Sequence, residues 1–382
     1  MNGKRYDIDW LRVLAMVMVF LFHCARFFNY QDWHVKNNRL DFGMSVFVGF
    51  LSQWIMPLFF VLSAFSAYYA LGRLTAGQYA RERLRRLLIP LIFGTFILIP
   101  PQVYIERVSH RQFSGSLIQF LPHYFDGFYG FGGNFAWMGL HLWYLEMLFI
   151  FSLLTLPPFC YLREQTPQRF IAKTTRWVKA PGAIFFLAIP LAIMEMIVSL
   201  QPEGIGRRDF GGWSFLTYLV FFILGYLIAS GEMFQRSIER HRVAALVAGV
   251  MTTSAGFFLL KPEYASPVMF AILRGLNSWL WLVAVLGFGT KYLRFNNTFL
   301  KYANAAVLPF YILHQTMIVI MGFWIAGWDA SVMLKYLIIS TLSFIVIAVL
   351  HELVVKRFPL LRFLFGMKQQ QVKRVNTLYI AD

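Results

Sequence analysis

Charge is scarce in this sequence, and acid is scarcer than base. Only 14% of the 382 residues are charged, with 18 Asp and Glu against 35 Lys and Arg, where an average soluble domain carries roughly 25%. An ordinary solvated surface is excluded. Cysteine is limited to Cys24 and Cys160, in runs expected to place them toward opposite membrane faces, so no disulfide framework follows. Alternation of apolar and polar residues over ten-residue units is missing, which argues against a β-barrel. There is no internal repeat of the kind that builds transporters from inverted halves. Glycine-rich phosphate loops and serine-elbow signatures are absent. No two histidines fall at ligand spacing, so no metal or resident cofactor is expected. Lys4 and Arg5 precede an apolar run that passes Phe20 without a small-residue cleavage site, and it reads as an uncleaved first span.

What is present is apolar: 58% hydrophobic and 18% aromatic residues. Runs of about 20 such residues recur along the chain, which is the signature of a polytopic membrane protein. The expected fold class is all-α, a membrane helical bundle of about ten spans, at 11–28, 45–70, 87–105, 140–159, 181–200, 213–230, 243–260, 267–289, 303–325 and 333–355. Residues 1–357 form one membrane domain, and 358–382 form a basic tail lying along the inner surface. Pro190 and Pro309 should kink the fifth and ninth spans.

The net charge of +17 invites a nucleic-acid partner, but the excess sits in short loops between apolar runs, where it sets topology. With ten spans, 25 of the 35 Lys and Arg fall on the side of the amino terminus. Nine fall on the other: Arg26, Lys36, Arg39, Arg107, Arg111, Arg207, Arg208, Lys261 and Lys335. Only Arg274 is left inside a span. Both termini are therefore expected in the cytoplasm, and the lipid bilayer replaces nucleic acid as the partner. Two outer loops, 29–44 and 106–139, exceed what connection needs. The second, with Phe125-Asp126-Gly127-Phe128-Tyr129-Gly130-Phe131, offers aromatic platforms suited to sugar rings or an interfacial aromatic belt.

Arg12 and His23 stand out in the first span. Eleven helical steps of about 100° bring them onto one face, roughly 16 Å apart along the axis. Ionisable groups at such depth are costly and usually functional. A neutral imidazole in a dry site is a fit general base for a hydroxyl, and a guanidinium on the same stripe can hold an anion or a polarised carbonyl. The alternative is a histidine bonded across helices and an arginine reaching the inner headgroups. Arg81, Arg83, Arg85 and Arg86 open the third span, where bidentate bonds can grip the phosphates of a cytosolic donor such as a coenzyme A thioester. Topology alone or anionic lipid would also account for them. Ser63 lies in Phe59-Phe60-Val61-Leu62-Ser63, where a small residue lets helices approach. His141, Trp143 and Glu146 open the fourth span, and His314 follows Pro309-Phe310-Tyr311-Ile312-Leu313. Arg274 is a further candidate, or else the partner of Glu146 or Glu195 in a structural ion pair.

Arg12 to His23 with ten residues between them resembles the signature of the acyltransferase-3 family of bacterial membrane acyltransferases. Phe59 to Ser63, Arg81 to Arg86 ahead of Leu88-Ile89-Pro90, His141-Leu142-Trp143-Tyr144-Leu145 and Phe310 to His314 match in the family's order. Within it, Trp33-His34-Val35 and Pro359-Leu360-Leu361-Arg362-Phe363-Leu364-Phe365-Gly366 resemble the glucan biosynthesis protein C group, which succinylates periplasmic glucans. Ala64 departs from the usual glycine, and Glu146 comes two residues ahead of the family's glutamate. The resemblance implies transfer of an acetyl or succinyl group from acyl-CoA, a co-substrate, to a hydroxyl of a carbohydrate outside the cytoplasm, in the inner membrane. His23 and Arg12 would be catalytic, and the other residues singled out would bind substrate. The competing expectation is a transporter or flippase of an anionic glycan or lipid using the Arg12–His23 face as a proton-coupled path.

Overall fold

The computed structural model of the chain describes residues 4–164, 176–208, 210–258 and 266–367. Lys261 and the tail beyond Met367, assigned above to an outer loop and to the inner surface, lie outside the described residues, as do Arg169 and Lys173. Among the described residues the molecule is helical, with two isolated β-bridges and no longer pairing. The principal helices are α1 (Tyr6–Ala25), α2 (Phe42–Ser52), α3 (Ile55–Leu71), α4 (Ala76–Leu98), α5 (Pro100–Ser109), α6 (Trp143–Leu154) and α7 (Leu156–Glu164). They are followed by α8 (Ile189–Ser199), α9 (Phe215–Ser230), α10 (Glu232–Phe258), α11 (Pro267–Tyr292), α12 (Thr298–Ala326) and α13 (Val332–Leu350).

The starts of these helices are written locally. The side chains of Asp41, Ser214, Ser266, Asn297 and Ser331 each accept the backbone N–H three residues on, opening α2, α9, α11, α12 and α13. Each satisfies a donor that the helix itself leaves free.

Five stretches are long and apolar enough to cross a membrane: Tyr6–Ala25, Phe42–Leu71, Pro267–Tyr292, Thr298–Ala326 and Val332–Val355. Three bent pairs raise the number to eight if each is one span, with bends of 41° between α4 and α5, 47° between α6 and α7, and 105° between α9 and α10. The expected count of ten is not reached by this measure, for identifiable reasons. Pro100 and Pro157 interrupt two of the runs, and Gly231 turns a third. The fifth expected span begins as a 3₁₀ segment, Ala183–Ala188, and is α-helical only over Ile189–Ser199. Pro190 therefore sits in the first turn of α8, where its missing N–H costs nothing, while Pro309 lies inside a continuous α12.

Glycine sets the closest approaches. A side chain at Gly225 of α9 would stand 2.8 Å from the Val61 backbone of α3, and one at Gly289 of α11 would strike Leu11 of α1. Small residues at such crossings let membrane helices pack backbone to backbone. These contacts, with α12 packed along α1, hold the face of α1 that carries Arg12 and His23 inside the bundle. Both cysteines are free thiols.

Candidate functional site

The middle of the bundle holds three imidazoles in a row. His23, near the C-terminal end of α1, places Nδ1 2.8 Å from the Val19 carbonyl one turn back and 3.3 Å from His314 Nε2. His314 on α12 is fully buried, and its Nδ1 is 2.5 Å from the Tyr311 carbonyl. A carbonyl only accepts, so both Nδ1 atoms carry hydrogen, and His314 Nε2 takes a share of the His23 proton. That leaves His23 Nε2 as a lone-pair nitrogen. His141, just before α6, crosses His314 edge to face at 5.0 Å between ring centres. Its Nε2 donates to the Ile312 carbonyl at 3.2 Å, and the Tyr311 hydroxyl donates to the His141 backbone carbonyl.

Outside this row, a cavity of about 780 Å³ opens among the turn after α1, the loop before α6 and the turn before α9. Trp33, Tyr129, Phe131, Trp137 and Trp143 give it ring faces, and His34, His141, Gln315 and Arg207 give it polar points. Trp33 stands between His34 and His23, its ring centre 5.3 Å from the first and 6.3 Å from the second. Gln315 Nε2 is 3.1 Å from His34 Nε2 and 3.1 Å from Gln102 Oε1, and Gln102 in turn donates to Thr316. His34 Nδ1 bonds the Glu106 carboxylate, which also receives the Tyr129 hydroxyl at 2.9 Å and the Arg107 guanidinium at 3.3 Å. Burial, and next the Glu106 charge, push the Tyr129 phenol up, so it stays a donor. The loop that delivers Tyr129 folds back tightly: Tyr129 N bonds the Phe135 carbonyl, and Gly133 lies against Gly127 with no room for a side chain. Gly127 and Gly130 supply positive φ there.

Toward the N-terminal end of α1 the polar groups change. Arg12 extends Nη2 to Ser66 Oγ at 2.8 Å and Nη1 to Asn304 Oδ1 and Asp9 Oδ1, each at 3.2 Å. The arginine cluster divides by helical phase. Arg81 and Arg85 are exposed, whereas Arg83 is only 8% exposed and Arg86 is half-buried, both beside Glu82. The Arg83 guanidinium lies 4.7 Å over the Tyr79 ring, and its Nε is buried without a hydrogen-bond partner. A π-helical turn, Leu84–Leu88, follows at once, a local widening that recurs at functional sites. Ser63 bonds the Tyr144 hydroxyl at 2.6 Å, pinning α3 to α6, and Arg12 and Arg83 both lie within electrostatic reach of that phenol.

The structure thus brings His23, His314 and His141 together, and Trp143 onto the cavity that His141 also lines. Two residues singled out from sequence fall elsewhere. Glu146 is half-buried with Oε2 unbonded. Arg274 donates to the Gly212 carbonyl and lies 4.1 Å over Trp213, while Glu195 pairs with Arg208 at 2.8 Å. His34, Glu106, Gln102, Gln315, Ser66 and Asn304 were missed as site residues. Glu106 did carry a signal, as an acid at the end of an apolar run, entering an otherwise basic outer loop.

Comparison with known proteins places nearly the whole chain in one family. The model of the acyltransferase-3 family, described as an acyltransferase domain, matches residues 5–352. A protein of Escherichia coli called Glucans biosynthesis protein C is 25% identical over 98% of this chain and 97% of its own. The protein of that name in Salmonella typhimurium is 24% identical over 99% and 98%. No solved structure gives a significant match.

Proposed function

The chain belongs to the acyltransferase-3 family and is an enzyme of acyl transfer, and from that premise we propose that it moves an acetyl or succinyl group from cytosolic acyl-CoA to a hydroxyl of an extracytoplasmic carbohydrate such as a periplasmic glucan. The glucan named in its relatives supports the acceptor class. The observation that carries the chemistry is the setting of His23: Nδ1 lies against the Val19 carbonyl and His314 Nε2, which favours the tautomer with its proton on Nδ1 and a lone pair on Nε2.

As general base, His23 Nε2 takes the acceptor's proton while the hydroxyl oxygen attacks the thioester carbonyl. The carbon–sulfur bond then breaks, and the proton passes to the departing thiolate. His314 and Trp33 fix the imidazole, His141 fixes His314, and Arg12 stands toward the donor, where it can hold the pantetheine arm. Arg83 and Arg86 meet the donor's phosphates, and the unpartnered Nε of Arg83 supports that role. Arg81 and Arg85 face the headgroups. The enzyme lies in the bacterial inner membrane with both termini in the cytoplasm, crossing ten times if α8 and each arm of the 105° bend are counted separately. The membrane domain ends near residue 357.

The test is thiol release from acyl-CoA by purified protein in detergent with a glucan acceptor. His23→Ala is expected to lower the rate at least about 100-fold. Undiminished release by that variant removes His23 from the mechanism.

A further inference from the structure

The outer cavity carries a second imidazole that the transfer chemistry at His23 does not use. Glu106 is 6% exposed and gathers the Tyr129 hydroxyl, the Arg107 guanidinium and His34 Nδ1. A carboxylate ringed by donors is an acceptor, so the hydrogen between it and His34 sits on the imidazole. His34 Nε2 is therefore a lone pair, and it takes the Gln315 amide at 3.1 Å. His34 and Gln315 both line the cavity.

Such a pair reads one kind of group. A hydroxyl set between them donates to His34 Nε2 and accepts from Gln315 Nε2, replacing one bond by two. A carboxylate or phosphate oxygen has no hydrogen to give and meets the lone pair head on. Trp33, Trp137 and Trp143 on the surrounding wall are flat apolar faces of the size of a sugar ring.

We propose that His34, Glu106 and Gln315 form a hydroxyl-reading subsite for an uncharged sugar residue of the acceptor. Glu106 acts through His34, fixing the tautomer that leaves Nε2 bare. The proposal rests on the reading of the acceptor as a carbohydrate and assigns the part of the cavity that recognises it.

The experiment is a titration of the purified full-length protein, without acyl-CoA, with a linear neutral gluco-oligosaccharide, followed by tryptophan fluorescence. Wild type is expected to show saturable quenching. Glu106→Gln offers its amide hydrogen to His34 Nδ1 and drives the ring proton to Nε2. It and His34→Ala should each raise Kd about tenfold or more. His34→Gln, which keeps an acceptor on the wall, should recover part of the loss. The two glutamine variants are close in size to the native side chains, so the series reads out even if His34→Ala unfolds. Equal affinity across folded variants overturns the subsite, as do absence of saturable binding by wild type and tighter binding of an anionic oligosaccharide of equal length. Saccharide binding by a wild type that releases no thiol from acyl-CoA would strike the acyl-transfer reading and leave the subsite standing.

Discussion

The half of the site at the start of α1, the inner half in the topology proposed above, holds its polar groups with guanidinium, and the half at the end of α1, the proposed outer half, with imidazole. On the inner side Arg12 spans Ser66, Asn304 and Asp9, and Arg83 and Arg86 share Glu82. These groups are always charged and present only donors. On the outer side His23, His314, His141 and His34 are arranged by carbonyls and one carboxylate so that each has one defined acceptor nitrogen. One end suits an anion, and the other suits an alcohol that must lose a proton. Two chemistries at the two ends of one helix face are what a transfer between unlike substrates requires.

Arg12 offers the largest way to break that comparison. Its fork reaches two helices at once, α3 through Ser66 and α12 through Asn304. Arg12→Ala is expected to lower kcat/KM for acyl-CoA by about 100-fold, as for loss of a charge-assisted hold on the pantetheine arm. Arg12→Lys should restore little, because one ammonium cannot reproduce the planar fork. Saccharide binding at the outer cavity should not change. A variant at Arg12 that weakened saccharide binding as much as donor turnover would erase the distinction between the halves.

Much of this was legible in the sequence, and the remainder was hidden for physical reasons. The helical class followed from apolar runs, and the shared face of Arg12 and His23 from a spacing of nearly whole turns. His314 and His141 could be named but not joined, because their meeting depends on how α12 packs on α1, which is a tertiary fact. His34 and Glu106 lie 72 residues apart and outside any periodic pattern, and only the fold of the outer turns brings them together. The span count was blurred where Pro100, Pro157 and Gly231 break runs that hydropathy reads as continuous or separate. The arginine cluster read as one block of four, whereas helical phase divides it into two pairs.

That division gives the second prediction, smaller than the first. Arg83→Ala removes the buried guanidinium and should raise KM for acyl-CoA about tenfold with little change in kcat, the pattern of lost ground-state binding. Arg81→Ala, at an exposed position two residues earlier, should stay within about twofold. Equal effects at the two positions would mean that the cluster acts through its total charge at the membrane surface, and the inner half would lose its specific donor contact.

Arg274 gives the smallest expected effect on activity and belongs to neither half. Its guanidinium is spent on the Gly212 carbonyl and the face of Trp213, beside the turn that Glu195, Thr217 and Arg208 tie together. The buried Trp213 in turn donates to the Ser52 carbonyl at the end of α2, so the cation steadies a junction of three elements. Replacing it by Met keeps the length of the side chain and removes the charge. The loss of one cation–π contact and one charge-assisted hydrogen bond is expected to cost about 2 kcal/mol of stability. Arg274→Met should therefore unfold a few degrees earlier in detergent while its kcat/KM for acyl-CoA stays within about twofold. A large fall in activity at an unchanged melting temperature would instead bring this arginine into the reaction path, and with it a third region that the division into donor and alcohol ends does not contain.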